Sequence, residues 1–357
     1  MPSSKKVITS FGSHEGQGVI WFSFEYNTNL QKRLKKKFPD ARWSQSQKKW
    51  WIKDTKHNRD LLGMPAPSVF DKSVHRIHPV NSPALKRFIE TLQLKAYSAS
   101  TINTYTNEFC ALLSVLKNHP VDTLRPERLR AYILYCINEL KLSENLVHSR
   151  LNAVKFYFEQ VLHRDRFFTE IPRPKKKSSL PKVLSTSEIK RLLAASENTK
   201  HLLMLQLCYG MGLRVSEVVN LKISDIDSKR MQVFIEAAKG KKDRYVNLPQ
   251  TLLPLLRAYY KEFKPKKYLV EGVNGGQYAI RSVQAVFKNA MRKAKINKPV
   301  GIHSLRHSYA THLMEYGTDV AFIQKLLGHN DIKTTLIYTH IADKDVTKII
   351  SPLDKLA

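Results

Sequence analysis

The sequence predicts a mainly α chain with a small β-ribbon, preceded by a small basic α+β domain. Apolar residues recur at steps of three and four through the middle of the chain, as in amphipathic helices. Two later runs, MQVFIEAA and DRYVNLP, alternate as the strands of a ribbon do. The first part instead mixes β-like aromatic runs with lysines. These shifts divide the chain into four predicted segments: residues 1–75, 82–168, 169–182 and 183–357.

The first segment contains all four tryptophans of the chain: Trp21, Trp43, Trp50 and Trp51. The runs GVIWFSFEY and KKWWIK predict strands, because aromatic and β-branched residues favour extended structure. Between them, LQKRLKKKF predicts a short basic helix. The tryptophans could form the core of this domain, or they could stack on nucleic-acid bases among the lysines. The proline-rich stretch MPAPSVFDKSVHRIHPVNSP then predicts a linker.

Residues 82–168 show helical periodicity throughout and predict a bundle of about four helices. One apolar stripe consists of Ile102, Tyr105, Phe109, Leu112, Leu113 and Leu116. The runs RPERLRAYILYCINELK and SENLVHSRLNAVKFYFEQVL show the same spacing. The following run, IPRPKKKSSLPK, cannot continue a helix because of its prolines. We interpret residues 169–182 as a basic linker, in which Lys175, Lys176 and Lys177 are candidates for phosphate contacts.

The charge balance predicts a polyanionic partner. The chain has 60 Lys and Arg against 30 Asp and Glu, a formal net charge of +30. A surface this basic attracts nucleic acid. No run of about 18 or more apolar residues indicates a membrane span, so no membrane association is expected. The three cysteines lie in apolar stretches without CxxC spacing, which is typical of a reducing compartment. The N-terminus also lacks the apolar core of a secretory signal. We therefore expect a cytoplasmic, nucleoid-associated protein.

The last segment holds polar residues in a specific order. Four runs carry them: YGMGLRVSEVVNL (209–221), AKGKKDRYVNLP (238–249), HSLRHSYATHL (303–313) and LLGHNDIKTTLIYTH (326–340). Each residue alone has an ordinary explanation, such as a solvated turn for Lys239 or a core aromatic for Tyr338. The spacing is more informative, since His329 follows Arg306 by 23 residues and Tyr338 follows His329 by nine. In this order and spacing, the segment resembles the tyrosine recombinase, or phage integrase, family, and its Xer-like branch in particular.

The resemblance implies a fold and an activity. Residues 82–168 would form the family's helical core-binding (SAM-like) domain, and residues 183–357 its mixed α/β catalytic domain. Together they would hold double-stranded DNA in a C-shaped clamp. The chain would be a site-specific recombinase that cleaves DNA with a tyrosine, forms a 3′-phosphotyrosyl intermediate, and exchanges and religates strands. It would act as a homotetramer on two DNA sites, with accessory DNA-bending or directionality proteins and with no metal or other cofactor.

The resemblance also assigns active-site residues: Arg214, Lys239, His303, Arg306, His329 and the nucleophile Tyr338, with Glu217 as an orienting carboxylate. The chemistry fits these residue types. An arginine holds a phosphate through two hydrogen bonds, and the tyrosine needs a proton acceptor, for which we favour His303. Lys239 is the expected general acid for the leaving 5′ oxygen. Lys241 and Lys242, in the same turn, are expected to bind DNA.

The tail, residues 1–75 and the function each allow more than one interpretation from the sequence. In the tail, Val346, Ile349, Ile350 and Leu353 recur at helical spacing. This fits packing on the parent domain or, as the resemblance favours, docking on a neighbouring protomer. By position, residues 1–75 resemble the arm-binding domains that many integrases add, but their sequence does not establish that role. Two other functions remain as alternatives: a type IB topoisomerase, which shares the residue set, and a DNA-binding regulator without catalysis.

Overall fold

The structure is a computed structural model that describes residues 7–164, 180–236, 243–273 and 275–340, except for the side chain of His340. It divides into two compact units, residues 1–177 and 178–357, which are described one at a time. In the described ranges, no helix is long and apolar enough to cross a membrane. Some predicted features lie outside these ranges: Lys175, Lys176 and Lys177 of the linker, Lys239, Lys241 and Lys242 of the turn, and the tail residues Val346, Ile349, Ile350 and Leu353.

The first unit begins with a small antiparallel sheet and one helix. The elements are β1 (Ile8–His14), β2 (Gln17–Ser23), α1 (Thr28–Lys37), β3 (Arg42–Ser44) and β4 (Lys49–Lys53), with the strands in the order β1-β2-β4-β3. The predictions of two strands and a basic helix are confirmed. The edge strands β1 and β3 were not predicted, because ITSFGSH and RWS contain few apolar residues at alternate positions.

The tryptophans of this sheet divide between core and surface. Trp21 of β2 pairs with Trp51 of β4, and both are buried, with Val19, on one face of the sheet. On the other face, Ile20, Phe22 and Ile52 pack against Leu34 and Phe38. Trp43 belongs to this second face but is 42% exposed, because β3 is an edge strand. The core interpretation is therefore confirmed for Trp21 and Trp51 and does not extend to Trp43.

The proline-rich stretch contains more structure than the predicted linker. After α2 (Lys56–Leu61), it forms a third helix, α3 (Val69–Val74), which begins with a capping box of Ser68 and Asp71. Val69, Phe70 and Val74 pack against the core of the following helices. This helix has only six residues, too few to show helical periodicity in the sequence. The linker prediction is therefore wrong for α3.

Four helices follow, as predicted: α4 (Ser82–Leu94), α5 (Ala99–Leu116), α6 (Pro126–Asn138) and α7 (Glu144–Phe156). The Ser98 side chain caps α5, and Pro126 occupies the first position of α6. Their core is aromatic, since the ring of Phe109 lies 4.4 Å from that of Phe88 and 4.5 Å from that of Tyr157. The predicted α5 stripe is largely the buried face of this helix.

The second unit is mainly helical around a three-stranded antiparallel sheet. Its helices are α8 (Thr186–Ala194), α9 (Thr199–Gly210), α10 (Val215–Asn220), α11 (Leu253–Phe263), α12 (Ile280–Lys293), α13 (His303–Glu315), α14 (Val320–Leu327) and α15 (Lys333–Leu336). The sheet consists of β5 (Ile226–Asp227), β6 (Gln232–Ile235) and β7 (Arg244–Asn247) in that order. The predicted ribbon is confirmed as β6 and β7, and β5 adds a short third strand.

Helix α13 lies in the interior of the second unit and packs against α9 and α14. Besides apolar residues, its buried positions include polar and charged ones: Ser304, Arg306, Ser308, Thr311 and His312. Buried polar groups are costly unless they have partners. An arginine in this position therefore indicates a site built around the helix.

Candidate active site

Three polar side chains project from the first turns of α13: His303, Arg306 and His307. Positions three and four apart share one face of a helix. Arg306 is 3% exposed. Its Nη1 donates to the carbonyl oxygen of Gly212 at 2.7 Å, and its Nη2 donates to that of Leu327 at 2.6 Å. Arg306 thereby joins the loop before α10 to the end of α14.

Arg214 stands at the N-terminus of α10. Its backbone N–H and its Nη1 both donate to the carboxylate of Glu217, each at 2.8 Å. The preceding turn needs a glycine, because Gly212 has a φ of +61°. A Cβ there would also lie 2.5 Å from the ring of Tyr309. The turn places Arg214 beside the guanidinium of Arg306, which shares the Glu217 carboxylate at 3.9 Å.

Glu217 binds a further arginine that was not predicted from the sequence. Arg244 of β7 donates to both carboxylate oxygens, at 3.0 and 2.9 Å, in a bidentate pair. Burial opposes ionisation of Glu217. The hydrogen bonds and charge of Arg244, followed by those of Arg214, outweigh burial and lower the pKa of Glu217 to about 2. Glu217 is therefore ionised and holds the arginines in place, consistent with its predicted orienting role.

The end of α14 positions His329. Gly328 has a φ of +62°, and a Cβ there would lie 2.9 Å from Cδ of Arg244. Arg244 also donates from Nε to the carbonyl oxygen of Leu326 at 2.8 Å. His329 Nε2 lies 3.1 Å from Nη2 of Arg306, and its Nδ1 lies 2.9 Å from the Thr335 hydroxyl. Because the guanidinium can only donate, we assign the His329 proton to Nδ1.

Tyr338 lies in a short 3₁₀ turn after α15, Ile337–His340, and is 3% exposed. Its ring packs with Ala310, Met314, Ile323 and Leu327. Its hydroxyl lies 2.9 Å from Nδ1 of His307. Burial raises the pKa of Tyr338 above its ordinary value, although the charges of Arg306 and Arg214 partly offset this effect. The hydroxyl is therefore protonated at neutral pH.

The cluster carries an excess of positive charge. The guanidinium groups of Arg214, Arg244 and Arg306 share the single carboxylate of Glu217, which leaves a surplus of two positive charges. Burial, followed by the charge of Arg214, lowers the pKa of Arg306 to about 9, so it remains protonated at neutral pH. Burial and the charges of Arg306 and Arg214 also lower the pKa of His303. Such a site favours an oxyanion.

The structure brings together most of the predicted residues, namely Arg214, Glu217, His303, Arg306, His329 and Tyr338, whereas Lys239 lies outside the described residues. Arg244 and His307 join this cluster without having been predicted. A signal existed for each of them. Arg244 is two positions from the buried Val246, so strand alternation places it on the inward face of β7. His307 is one turn after His303, on the face already assigned to the site.

Family models match both units. Residues 182–345 match the phage integrase family. Residues 84–166 match the N-terminal SAM-like domain of phage integrases. Together the two matched ranges cover the helices α4 to α7, apart from the first two residues of α4, and the whole candidate site.

Proteins with similar sequences are named as integrases or recombinases. A protein of Sinorhizobium fredii, provisionally named an integrase/recombinase, is 39% identical over 279 residues, which are 78% of this chain and 90% of the relative. The tyrosine recombinase XerD of Listeria innocua is 32% identical over 282 residues, 72% of this chain and 94% of that one. The structure also resembles a lambda integrase dimer bound to a COC′ core site, with a TM-score of 0.59 and 19% identity over 71% of this chain and 96% of that one. The last similarity supports the fold.

Proposed function

Because the chain belongs to the phage integrase family of tyrosine recombinases, we propose that it recombines double-stranded DNA at specific sites with Tyr338 as its nucleophile. The observation that carries this proposal is a buried tyrosine that feels the charges of Arg306 and Arg214, which belong to an arginine cluster with two surplus positive charges. A DNA phosphodiester supplies the anion that such a cluster lacks. The same cluster would stabilise the additional negative charge of the transition state.

In the proposed reaction, the Tyr338 oxygen loses its proton and attacks phosphorus. A 3′-phosphotyrosyl bond forms and the bond from phosphorus to the 5′ oxygen breaks. Arg214 and Arg306 would hold the non-bridging oxygens. His303 stays our proposed proton acceptor, since its lowered pKa keeps it neutral. Attack by the 5′ hydroxyl of another strand reverses the step and releases the tyrosine, so the bond energy is kept for religation.

Covalent trapping tests this proposal. The purified protein is mixed, in EDTA, with end-labelled nicked DNA from the flanks of its own gene. A labelled band at the mass of protein plus DNA is expected, and mapping its end locates the cut. Tight, specific binding without such a band would favour the non-catalytic regulator. Relaxation of plasmids without strand exchange between two mapped sites would favour the type IB topoisomerase.

We expect Lys239→Ala to slow cleavage of ordinary DNA by about 10²–10⁴-fold, the usual contribution of a general acid. The leaving 5′ oxygen would then depart without a proton. A 5′-bridging sulfur needs little protonation, so the variant should cleave the sulfur substrate at nearly the wild-type rate. The measurement compares single-turnover cleavage of both substrates. The matched control is Lys242→Ala from the same turn, which should weaken DNA binding without a substrate-dependent defect. Equal slowing of Lys239→Ala on both substrates would remove it as the acid.

We also propose that four protomers assemble on two DNA sites, aided by accessory DNA-bending or directionality proteins, at the cytoplasmic nucleoid. The predicted amphipathic tail supports assembly through docking of one protomer's tail on its neighbour. Lys175, Lys176, Lys177, Lys241 and Lys242 would contact phosphates around this complex. The mass of the complex on a two-site DNA, with and without residues 345–357, measures this assembly. Loss of the tetramer with retained single-site binding is the expected result of truncation.

The sheet of the first unit offers a surface for accessory DNA. On its α1 side, the exposed Trp43 lies 5.7 Å from Trp50, and Lys35 Nζ lies 5.2 Å from the Trp50 ring. The remaining cations of α1 are also exposed: Lys32, Arg33, Lys36 and Lys37. Exposed aromatic rings beside cations suit bases and phosphates. We therefore propose that residues 1–75 bind DNA through this face.

Trp43→Ala is expected to weaken binding of this accessory DNA by about 1–3 kcal/mol, the usual contribution of a stacked base. Core-site cleavage should be unchanged. Titration with labelled gene-flanking DNA that lacks the core site measures accessory-DNA affinity. Covalent attachment to the same DNA with the core site measures cleavage. Phe11→Ala is the matched control, because Phe11 is a 56% exposed aromatic on the opposite edge strand. Equal weakening by both substitutions would contradict a DNA-binding surface specific to the sheet edge that carries Trp43.

A further inference from the structure

The side chain of His307 forms a hydrogen bond with the hydroxyl of the proposed nucleophile. Its Nδ1 lies 2.9 Å from the Tyr338 hydroxyl, and the two ring centroids are 5.8 Å apart. The contact connects α13, which also carries Arg306, to the turn Ile337–His340. The two predicted histidines stand differently. His303 lies a turn earlier on α13, with its ring centroid 6.3 Å from that of His307, and His329 stacks 6.4 Å from the Tyr338 ring.

The surroundings of His307 determine its protonation. His303 and Arg306 face it from its own helix, and Tyr338 faces it from the 3₁₀ turn. Burial, followed by the charges of His303 and Arg306, lowers the pKa of His307 to about 4. The imidazole is therefore neutral at neutral pH. A protonated Tyr338 hydroxyl can then donate to an unprotonated Nδ1, while the His307 proton resides on Nε2.

We propose that His307 is a positioning residue for the nucleophile: its Nδ1 accepts the Tyr338 hydroxyl proton in a hydrogen bond and so leaves the oxygen lone pairs free to face phosphorus. This inference rests on the proposed function. Without that acceptor, the hydroxyl would turn to donate to a phosphate oxygen. That bond would have to break before attack, and it would direct the proton, not a lone pair, at the phosphate.

A positioning role fits this pair better than proton removal. The pKa of Tyr338 lies above its ordinary value near 10, and that of His307 is about 4. Transfer of the proton to His307 is therefore strongly unfavourable in the DNA-free site. In the DNA-free site His307 therefore holds the hydroxyl in a hydrogen bond without transfer, which needs only the geometry that the structure shows. When the oxygen attacks phosphorus, its proton leaves this hydrogen bond and passes to His303, the proposed acceptor. Misplacement of a reacting atom by about 1 Å can slow a reaction by about 10²-fold, so the effect of losing the acceptor should be measurable.

Three substitutions separate the roles. His307→Asn keeps an acceptor near the position of Nδ1 but cannot titrate. His307→Gln places its amide near Nε2, and His307→Ala removes the group. Single-turnover attachment is measured on the 5′-bridging sulfur substrate, so that the general acid does not limit the rate. We expect about 10²-fold slowing for Ala, recovery to within about five-fold for Asn, and little recovery for Gln, with DNA affinity unchanged.

The pH profile separates a positioning role from proton transfer. If His307 only positions the hydroxyl, the Asn variant keeps the wild-type profile between about pH 6 and 9, since His307 does not titrate there. Loss of one limb of the profile in Asn would instead show that His307 carries the proton, and would overturn the proposal. Wild-type rates in Ala would overturn it as well. The thermal midpoints of all variants control for folding. If His307→Ala is unfolded, the comparison of attachment rates between His307→Asn and His307→Gln tests the proposal.

A second measurement does not depend on cleavage. In protein labelled with ¹⁵N-histidine, His307 should show an unprotonated Nδ1 and a protonated Nε2, and the Nδ1 signal should shift in Tyr338→Phe. A proton on Nδ1 in the wild type would overturn the proposal. If this signature is present but no covalent complex forms on the gene-flanking DNA, the proposed function fails while the contact stands. If the NMR signature and the covalent complex are both present and His307→Ala cleaves at the wild-type rate, only the positioning role fails.

Discussion

Replacing Tyr338 by phenylalanine is expected to abolish covalent attachment to DNA, down to the background of the assay, while DNA affinity is kept. The substitution removes only the hydroxyl. The phenylalanine ring retains the packing against Ala310, Met314, Ile323 and Leu327. The lost hydrogen bond to His307 should cost the folded state only about 1 kcal/mol. Catalysis should disappear because phenylalanine has no oxygen with which to attack phosphorus.

The measurement is denaturing electrophoresis of end-labelled suicide DNA with each variant, beside a binding titration. Tyr316→Phe is the matched control, since Tyr316 ends the same α13 region but is 71% exposed. This control should attach DNA as the wild type does. Persistent attachment in Tyr338→Phe would show that another residue is the nucleophile.

Glu217→Ala is expected to lower both stability and activity strongly. Its removal leaves Arg214, Arg244 and Arg306 close together without a counter-charge, and breaking a buried ion pair in this way costs about 3–5 kcal/mol. For a chain of this size, the thermal midpoint should fall by roughly 2–4 °C per kcal/mol. Attachment to DNA should fall as well, because the two guanidinium groups proposed to hold the phosphate lose their orientation.

Calorimetry and single-turnover attachment measure these two effects. Glu236→Ala is the matched control: Glu236 pairs with Lys222 on the surface, and exposed pairs contribute about 0–1 kcal/mol. If Glu217→Ala has the same thermal midpoint as the wild type, the carboxylate does not hold the arginines together. If it destabilises the fold but keeps full activity, the orienting role fails while the structural one stands.

Glu217 also predicts an acid limb of stability. Its pKa in the folded state, about 2, lies below the ordinary value near 4.3 of an unfolded glutamate. The stabilisation it contributes is therefore fully present above about pH 4.3 and is lost as the pH falls towards 2. Its size is on the order of 3 kcal/mol for a shift of this kind. In Glu217→Gln, the fall in stability between these pH values should be shallower than in the wild type.

The sequence predicted those elements whose pattern is local. The α5 stripe, the ribbon strands and the basic helix α1 all repeat over enough residues to show their period. Helix α3 and strand β3 are too short to do so, and they form because neighbouring elements cover them. In the site, chain order and spacing selected the residues that belong to the family motif. Arg244 and His307 were not predicted because their roles depend on long-range contacts. Arg244 contacts Glu217 and His307 contacts Tyr338, and local sequence periodicity does not reveal which residues meet across such distances.

The two bonds from Arg244 to Glu217 have a consequence for the newly made protein. They connect residues 27 positions apart, and the bond from Arg244 to Leu326 spans 82 more. Contacts this distant along the chain form late, because the intervening segments must be ordered first. The arginine cluster is therefore assembled only when most of the second unit has folded. We therefore expect a chain truncated before Leu326 to be unable to cleave DNA, because it lacks one of the contacts that hold Arg244.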